Sequence, residues 1–261
     1  MSAPDANSGG GRQQQFEFSI GCVPFQLQMS DARLFRAASL RYAAFTGAVA
    51  QPIEIALNES SFVESLPAEF AYNFEGACLR TDSRKTRFDG VRNDYALDSL
   101  LRILLSWKLT GRHGFLLHAA TVIRNGKAYV FTGKSGAGKS TVASLSPKGC
   151  VLTDEISLLR RENGQWQAHG TPFWGEFRAA GSNTSAPVQG IYRLVQGAEN
   201  RVASLRPRKL IRALLPNVLF FCSESEATRR LLEIVGHAAE EISGYELTFR
   251  KDSAFWEVLP A

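Results

Sequence analysis

Along the first part of the chain, apolar and polar residues alternate. Phe16, Phe18 and Ile20 are followed, across Gly21-Cys22, by Val23, Phe25 and Leu27. A period of two sends alternate side chains to opposite faces of a strand, so this stretch predicts a pair of strands. Phe70, Tyr72 and Phe74 alternate in the same way, and Pro24, Pro52 and Pro67 break the runs between them. Residues 16–92 therefore read as a small, mostly β region. Residues 1–15, with Asn7-Ser8-Gly9-Gly10-Gly11 and Gln13-Gln14-Gln15, hold too few apolar side chains to order themselves and are expected to be a disordered tail.

At residue 93 the period changes. Leu97, Leu100, Leu101, Leu104, Leu105 and Leu109 follow helical spacing, Asn93 or Asp94 can cap the start, and Gly111 stops it. Ile103 and Trp107 fall off the main stripe, so apolar side chains nearly encircle the helix. A buried helix over 93–111, linking the first region to a second domain at 93–261, is expected. Phe115 to Ile123 then reads as a strand, Asn125-Gly126 as a tight hairpin turn, and Lys127 to Thr132 as the returning strand. A two-residue turn sets Arg124 opposite Lys127. That register continues through Val122–Tyr129 and Ala120–Phe131 and brings His118 beside Gly133.

Gly133-Lys134-Ser135-Gly136-Ala137-Gly138-Lys139-Ser140 fits G-x-x-x-x-G-K-[ST] at every fixed position, with a strand before it and Thr141 to Leu145 after it able to continue a helix. The glycines let backbone N–H groups turn inward around a phosphate chain, and the helix start adds partial positive charge. Lys139 can reach terminal phosphates, and the Ser140 hydroxyl can hold Mg²⁺. ATP with Mg²⁺ is the expected ligand. Val151-Leu152-Thr153 is a short apolar run ending in Asp154-Glu155. A strand–loop–helix–strand unit is normally parallel, which sets Asp154 at a strand's C-terminal end beside the metal position. Asp154 and Glu155 are also strand-end turn types, and His118 could equally be a satisfied strand histidine.

Downstream, Ile156–Arg160 and Gln165–Ala168 flank Asn163-Gly164 as a second hairpin. Residues 170–187 lack periodicity and read as a functional loop. Strands are expected at Gln189–Val195, Val202–Leu205 and Tyr245–Phe249. Helices are expected from Pro207 to about Leu215 and over Ser225–Ala239, with a helix start at Val218–Cys222 and a last turn at Ser253–Val258. His113 and His169 have no partner logic and are assigned to the surface. Arg206, Arg208, Lys209 and Arg212 follow helical spacing as a solvated face, with anion binding as the alternative. Asn200 reads as a turn residue.

Composition changes little. The 261 residues are 44% hydrophobic and 21% charged, as in ordinary globular chains. The +5 net charge is spread without a Lys/Arg run, which fits anionic ligands and argues against a nucleic-acid partner. Cys22, Cys78, Cys150 and Cys222 are far apart, which predicts buried free thiols in a reducing cytoplasm and no cysteine pair with metal spacing. No 18-residue apolar run predicts a membrane span, and no apolar signal region opens the chain.

Taken together, His118, the Asn125-Gly126 hairpin, the glycine-rich loop and Asp154-Glu155 resemble the HPr kinase/phosphorylase family. The likeness extends to shorter HPr-kinase-like proteins, some of which sit beside peptide-modification genes such as those for lasso peptides. It covers residues 112–180 well and the remainder to 261 loosely. The resemblance implies an α/β P-loop domain with a mixed sheet, similar to phosphoenolpyruvate carboxykinase, preceded here by the smaller β region. It implies that Gly133, Lys134, Ser135, Gly136, Ala137, Gly138, Lys139, Ser140 and Thr141 bind the triphosphate, and that Ser140 with Asp154 or Glu155 serves Mg²⁺. One acidic residue takes the acceptor hydroxyl proton and His118 assists. The family has two aspartates where this chain has Asp154-Glu155, so which is base and which is ligand stays open. Gly175-Glu176-Phe177-Arg178 only faintly matches the family's downstream Glu-x-Arg-Gly signature, leaving Glu176 and Arg178 as weak candidates. The expected activity is ATP-dependent phosphotransfer to a hydroxyl, Ser or Thr of a peptide or protein. A nucleotide-binding regulatory module and a small-molecule kinase are the alternatives. A homo-oligomer is left open.

Overall fold

Residues 13–58, 68–82, 85–147, 149–173 and 181–260 are described by the computed structural model. They fall into two units, Met1–Ser19 with Pro24–Leu100, and Ile20–Val23 with Leu101–Ala261.

In the first unit the predicted alternation becomes β1 (Gln14–Ile20) and β2 (Val23–Met29). They are followed by helix α1 (Ala32–Arg41) and strands β3 (Ile53–Asn58), β4 (Phe70–Phe74), β5 (Ala77–Thr81) and β6 (Lys85–Asp89). The sheet order is β1-β2-β3-β6-β5-β4. β2, β3 and β6 are parallel neighbours, and β4, β5 and β6 are antiparallel. β1 starts at Gln14, inside the stretch expected to be a disordered tail; residues 1–12 lie outside the described residues. The reason is local: β1 is an edge strand beside β2, where polar side chains stay wet, and Gln13 Nε2 donates to Gln28 Oε1 across it (3.3 Å). The apolar face stacks Phe18 between Phe25 and Tyr42, with ring centroids 5.3 and 5.1 Å apart. Helix α2 (Asp94–Thr110) is buried as predicted, with Leu97, Leu100, Leu101, Ile103, Leu104, Leu105 and Leu109 all inaccessible.

The second unit continues with β7 (Gly114–Arg124), β8 (Lys127–Thr132), α3 (Lys139–Leu145), β9 (Val151–Thr153), β10 (Ile156–Glu162) and β11 (Gln165–His169). It ends with β12 (Ser185–Gln196), β13 (Arg201–Leu205), α4 (Pro207–Leu214), β14 (Val218–Leu219), α5 (Ser225–Glu241) and β15 (Gly244–Phe249). Strand order is β11-β10-β7-β8-β12-β15-β13, and β9 and β14 also pair with β7. β11 pairs with β12 as well, which closes a ring through β7, β8, β12, β11 and β10. The sheet is mixed, because β12 runs parallel to β8 and β15 while β7, β10 and β11 pair antiparallel. Both faces of its central strands are covered, so β7 and β8 are apolar and buried at most positions, whereas β13 at the edge is largely exposed. Val130 and Ile191 point to the cluster of α4 and α5, whereas Tyr129, Phe131 and Tyr192 point to the cluster of α3 and Phe255.

Three expectations are corrected here. β12 begins at Ser185, inside the loop expected over 170–187, because Ser185–Pro187 pair with β11. Val218–Cys222 starts no helix: Val218 and Leu219 pair with Leu117 and Leu116 of β7. A two-residue strand has no period of its own to read. Among the cysteines, only Cys222 is buried, and Cys22 is exposed.

Candidate functional site

The hairpin register is the one the turn dictates. Arg124 pairs with Lys127, Val122 with Tyr129 and Ala120 with Phe131. Asn125 and Gly126 take φ of 51° and 73°, the left-handed pair that a two-residue turn needs. β8 thus delivers Gly133 one step beyond the last pair, Ala119–Thr132, with His118 alongside. From there the loop turns through glycines: Gly136 has φ 76° and Gly138 φ 112°, where a side chain is strained. The Ala137 N–H donates to the Lys134 carbonyl (3.0 Å), and Gln196 Nε2 of β12 donates to the Gly136 carbonyl (2.6 Å).

Lys139 is the first residue of α3 and is 7% exposed. Its Nζ donates to the carbonyls of Gly133 (2.9 Å) and Lys134 (3.3 Å), so the ammonium lies inside the curve of the loop. Burial lowers its pKa, and the nearby Glu155 carboxylate opposes that shift.

Strand β9 runs antiparallel to β7, hence in the same sense as β8, with β7 between them. The expected parallel sense of the strand–loop–helix–strand unit is therefore met, across an intervening strand. The strand end is different from the expectation. Thr153 pairs with Thr121 and Ile156 with His118, so β9 and β10 share one register along β7. Asp154 and Glu155 form an interruption in a strand that continues, and Glu155 accepts from the Ala119 N–H at 2.9 Å. The break is held open by hydroxyls: Thr153 Oγ1 (3.1 Å) and Thr171 Oγ1 (2.7 Å) both donate to the Ile156 carbonyl. Asp154 is 8% exposed.

These parts meet in one cleft of ≈ 410 Å³, lined by His118, Ser135, Gly136, Gly138, Lys139, Ser140, Thr141, Asp154, Glu155 and Lys251. Burial pushes the His118 imidazole below its ordinary pKa, the Lys139 ammonium and then Arg102 push the same way, and a hydrogen bond to the Glu155 backbone opposes them. His118 is therefore neutral near neutral pH. A second cleft of ≈ 740 Å³ shares Ser135 and Gly136 and is lined by Gly133, Lys134 and Ala137 of the loop, with Arg193, Gln196, Lys209 and Arg212 among its other residues. Of the basic set on and before α4, Lys209 and Arg212 thus line the cleft that the loop also lines, and Arg206 and Arg208 line neither cleft.

Not everything was foreseen. Lys251 and Arg102 were missed. Arg102 stands in an otherwise apolar helical run, a signal that could have singled it out; its guanidinium lies 5.1 Å from the Phe173 ring centroid. Lys251, two residues past the last strand, carried no signal. His169 was assigned to the surface but is 5% exposed, because β11 sits inside the ring and Glu162 Oε1 meets its Nε2 at 2.9 Å. Asn200 is a turn residue as read, bonded to Asp252 Oδ1 (2.7 Å) and the Arg250 N–H (2.8 Å). Glu176 and Arg178 lie outside the described residues.

The family model of SynChlorMet cassette protein ScmC matches residues 96–259. The chain belongs to the ScmC family. The ScmC match takes in α2 from its first turn and every residue of both clefts, and leaves β1 to β6 outside it. No curated protein matches the chain. A solved structure described as the Hpr(Ser) kinase/phosphatase from Coxiella burnetii is 14% identical over 48% of this chain and 89% of that one, with a TM-score of 0.26. No helix among the described residues is long and apolar enough to cross a membrane.

Proposed function

We propose that this ScmC-family chain transfers the terminal phosphate of ATP to a hydroxyl acceptor, Ser or Thr of a peptide or protein. One observation carries the reading: the glycine-rich loop with Lys139, the acidic pair and His118 line a single cleft. The sequence resemblance to HPr kinase/phosphorylase rests on the same residues.

The donor set fits Mg²⁺, since Ser140, Asp154 and Glu155 offer hard oxygen ligands around the loop. Ser140 with one of the two carboxylates would hold the ion, which when bound neutralises phosphate charge. Lys139, already inside the loop's curve, exchanges its carbonyl partners for phosphate oxygens. The backbone N–H groups of Gly136 to Ser140 hold the rest of the chain of phosphates. The remaining carboxylate accepts the acceptor's hydroxyl proton, and neutral His118 orients it through the Glu155 backbone. Phosphoryl transfer demands mainly positioning and charge stabilisation, which this cleft can supply without a covalent intermediate.

The test is γ-labelled ATP with Mg²⁺ and candidate Ser/Thr peptides. Label moving to peptide supports transfer; label moving only to water would point to a nucleotide-binding module. Lys139→Ala is expected to lose nucleotide binding altogether, and unchanged affinity in that variant would remove the loop from the site.

A further inference from the structure

Away from both clefts, three metal-ligating side chains meet. Cys22, Glu162 and His169 each place a ligand atom within 4.8 Å of the others. Cys22 lies in the Ile20–Val23 turn, which belongs to the second unit. The turn is fitted closely to β10. Gly21 has φ +56°, and a Cβ there would stand 2.4 Å from Leu158 Cδ1, so this approach requires glycine. Arg160 Nη1 donates to the Gly21 carbonyl at 3.0 Å. Cys22 follows with φ 61° and an exposed thiol. Beneath it, His169 Nε2 and Glu162 Oε1 are 2.9 Å apart, and Arg160 Nη1 is 3.4 Å from the same oxygen.

A thiolate, an imidazole and a carboxylate are the ligand types of zinc, and they discriminate against Mg²⁺ and Ca²⁺, which take oxygen alone. Ligands about 2.0–2.3 Å from one tetrahedral ion stand some 3–4 Å from each other. A group already within 4.8 Å closes on an ion by side-chain rotation. The exposure of Cys22 leaves room for water as a fourth ligand.

We propose that Cys22, Glu162 and His169 form a binding site for a zinc-class divalent cation, separate from the glycine-rich loop. On binding, the Cys22 S–H proton leaves to solvent and the thiolate bonds the metal, while His169 exchanges its Glu162 contact for the ion. The ion would tie the Ile20–Val23 turn to the β10–β11 hairpin.

The experiment titrates reduced, metal-free, full-length protein with Co²⁺ in the absence of nucleotide. Expected are one equivalent bound, a thiolate-to-cobalt charge-transfer band, intense tetrahedral d–d bands, and displacement by Zn²⁺. Cys22→Ser, at an exposed position, is expected to fold normally and lose the charge-transfer band, whereas Cys150→Ser keeps it. Glu162→Gln and His169→Asn should each weaken binding by more than the roughly 10- to 100-fold that an outer partner of a metal ligand contributes. Absence of the band in the wild-type protein, or its survival in Cys22→Ser, overturns the proposal. Because Cys22→Ser spares the buried histidine, a folding defect in His169→Asn does not blunt the test.

Discussion

Two adjacent carboxylates share the cleft, and their environments differ. Glu155 lies near enough to Lys139 to oppose in part the effect of burial on that ammonium, while Asp154 is the more buried of the pair. If Asp154 takes the acceptor proton, Asp154→Asn leaves nucleotide affinity nearly intact and lowers single-turnover transfer by about 10²- to 10⁴-fold, the usual range for acid–base catalysis. Glu155→Gln is expected to weaken Mg²⁺-dependent nucleotide binding together with turnover. Wild-type transfer in Asp154→Asn would refute this division of roles. His118 adds a pH signature. Its imidazole is lowered from 6.5 in the folded chain, so between the folded value and 6.5 the unfolded chain binds more protons. Stability therefore rises with pH through that window and is lost as pH falls through it. His169 acts in the same direction. Melting temperatures measured from pH 7 downward should fall less steeply in His118→Asn than in the wild type, and an unchanged slope would contradict the assignment.

Elements differ in how far sequence can specify them. The β7–β8 hairpin was legible to the residue because a two-residue turn leaves one register, and Val122–Tyr129 follows from Arg124–Lys127 without further information. Helix α2 was legible because its period is strong over several turns. The β9–β10 continuation was not. Asp154-Glu155 looks like the end of a strand, and what carries the chain on in register is β7, whose pairing no local pattern reveals. The same holds for β14, for the burial of His169, and for Cys22, which meets His169 only because the Ile20–Val23 turn lies on β10. Sequence named most of the loop-side cleft because its parts are consecutive or hairpin-coupled; Lys251 of its lining, and Arg102, whose charge acts on His118, arrive from distant elements. At the loop itself, Gly138 caps α3 with φ 112°, and a Cβ would lie 3.1 Å from Phe249 Cε1. Gly138→Ala combines backbone strain with crowding against β15. It is expected to cost about 1–3 kcal/mol, the usual size of a residue held in a sparsely populated conformation, with denaturant midpoints as the measurement. A midpoint equal to the wild type would mean that the loop adapts freely and its curl is not fixed by glycine.

At the scale of the whole molecule, the cleft draws on one of the two units. Its lining residues run from His118 to Lys251, all within the span of the second unit, whereas β3 to β6 belong to the first. The ScmC match, residues 96–259, begins inside α2 and takes in every one of these lining residues. A ligand that binds the folded cleft and not the unfolded chain stabilises the fold by mass action, about 2.7 kcal/mol when present at 100 times its dissociation constant. That stabilisation reaches only the openings that destroy the cleft. Hydrogen exchange in saturating Mg²⁺ and ATP should therefore slow most at Gly133–Ser140, in β9 and β10, and at the end of β15 before Lys251. Amides of β4 and β5 should exchange as they do without ligand. The same experiment on Lys139→Ala should show no slowing in either unit. Protection centred on β4 to β6, or equal in the wild type and Lys139→Ala, would place the nucleotide away from the loop.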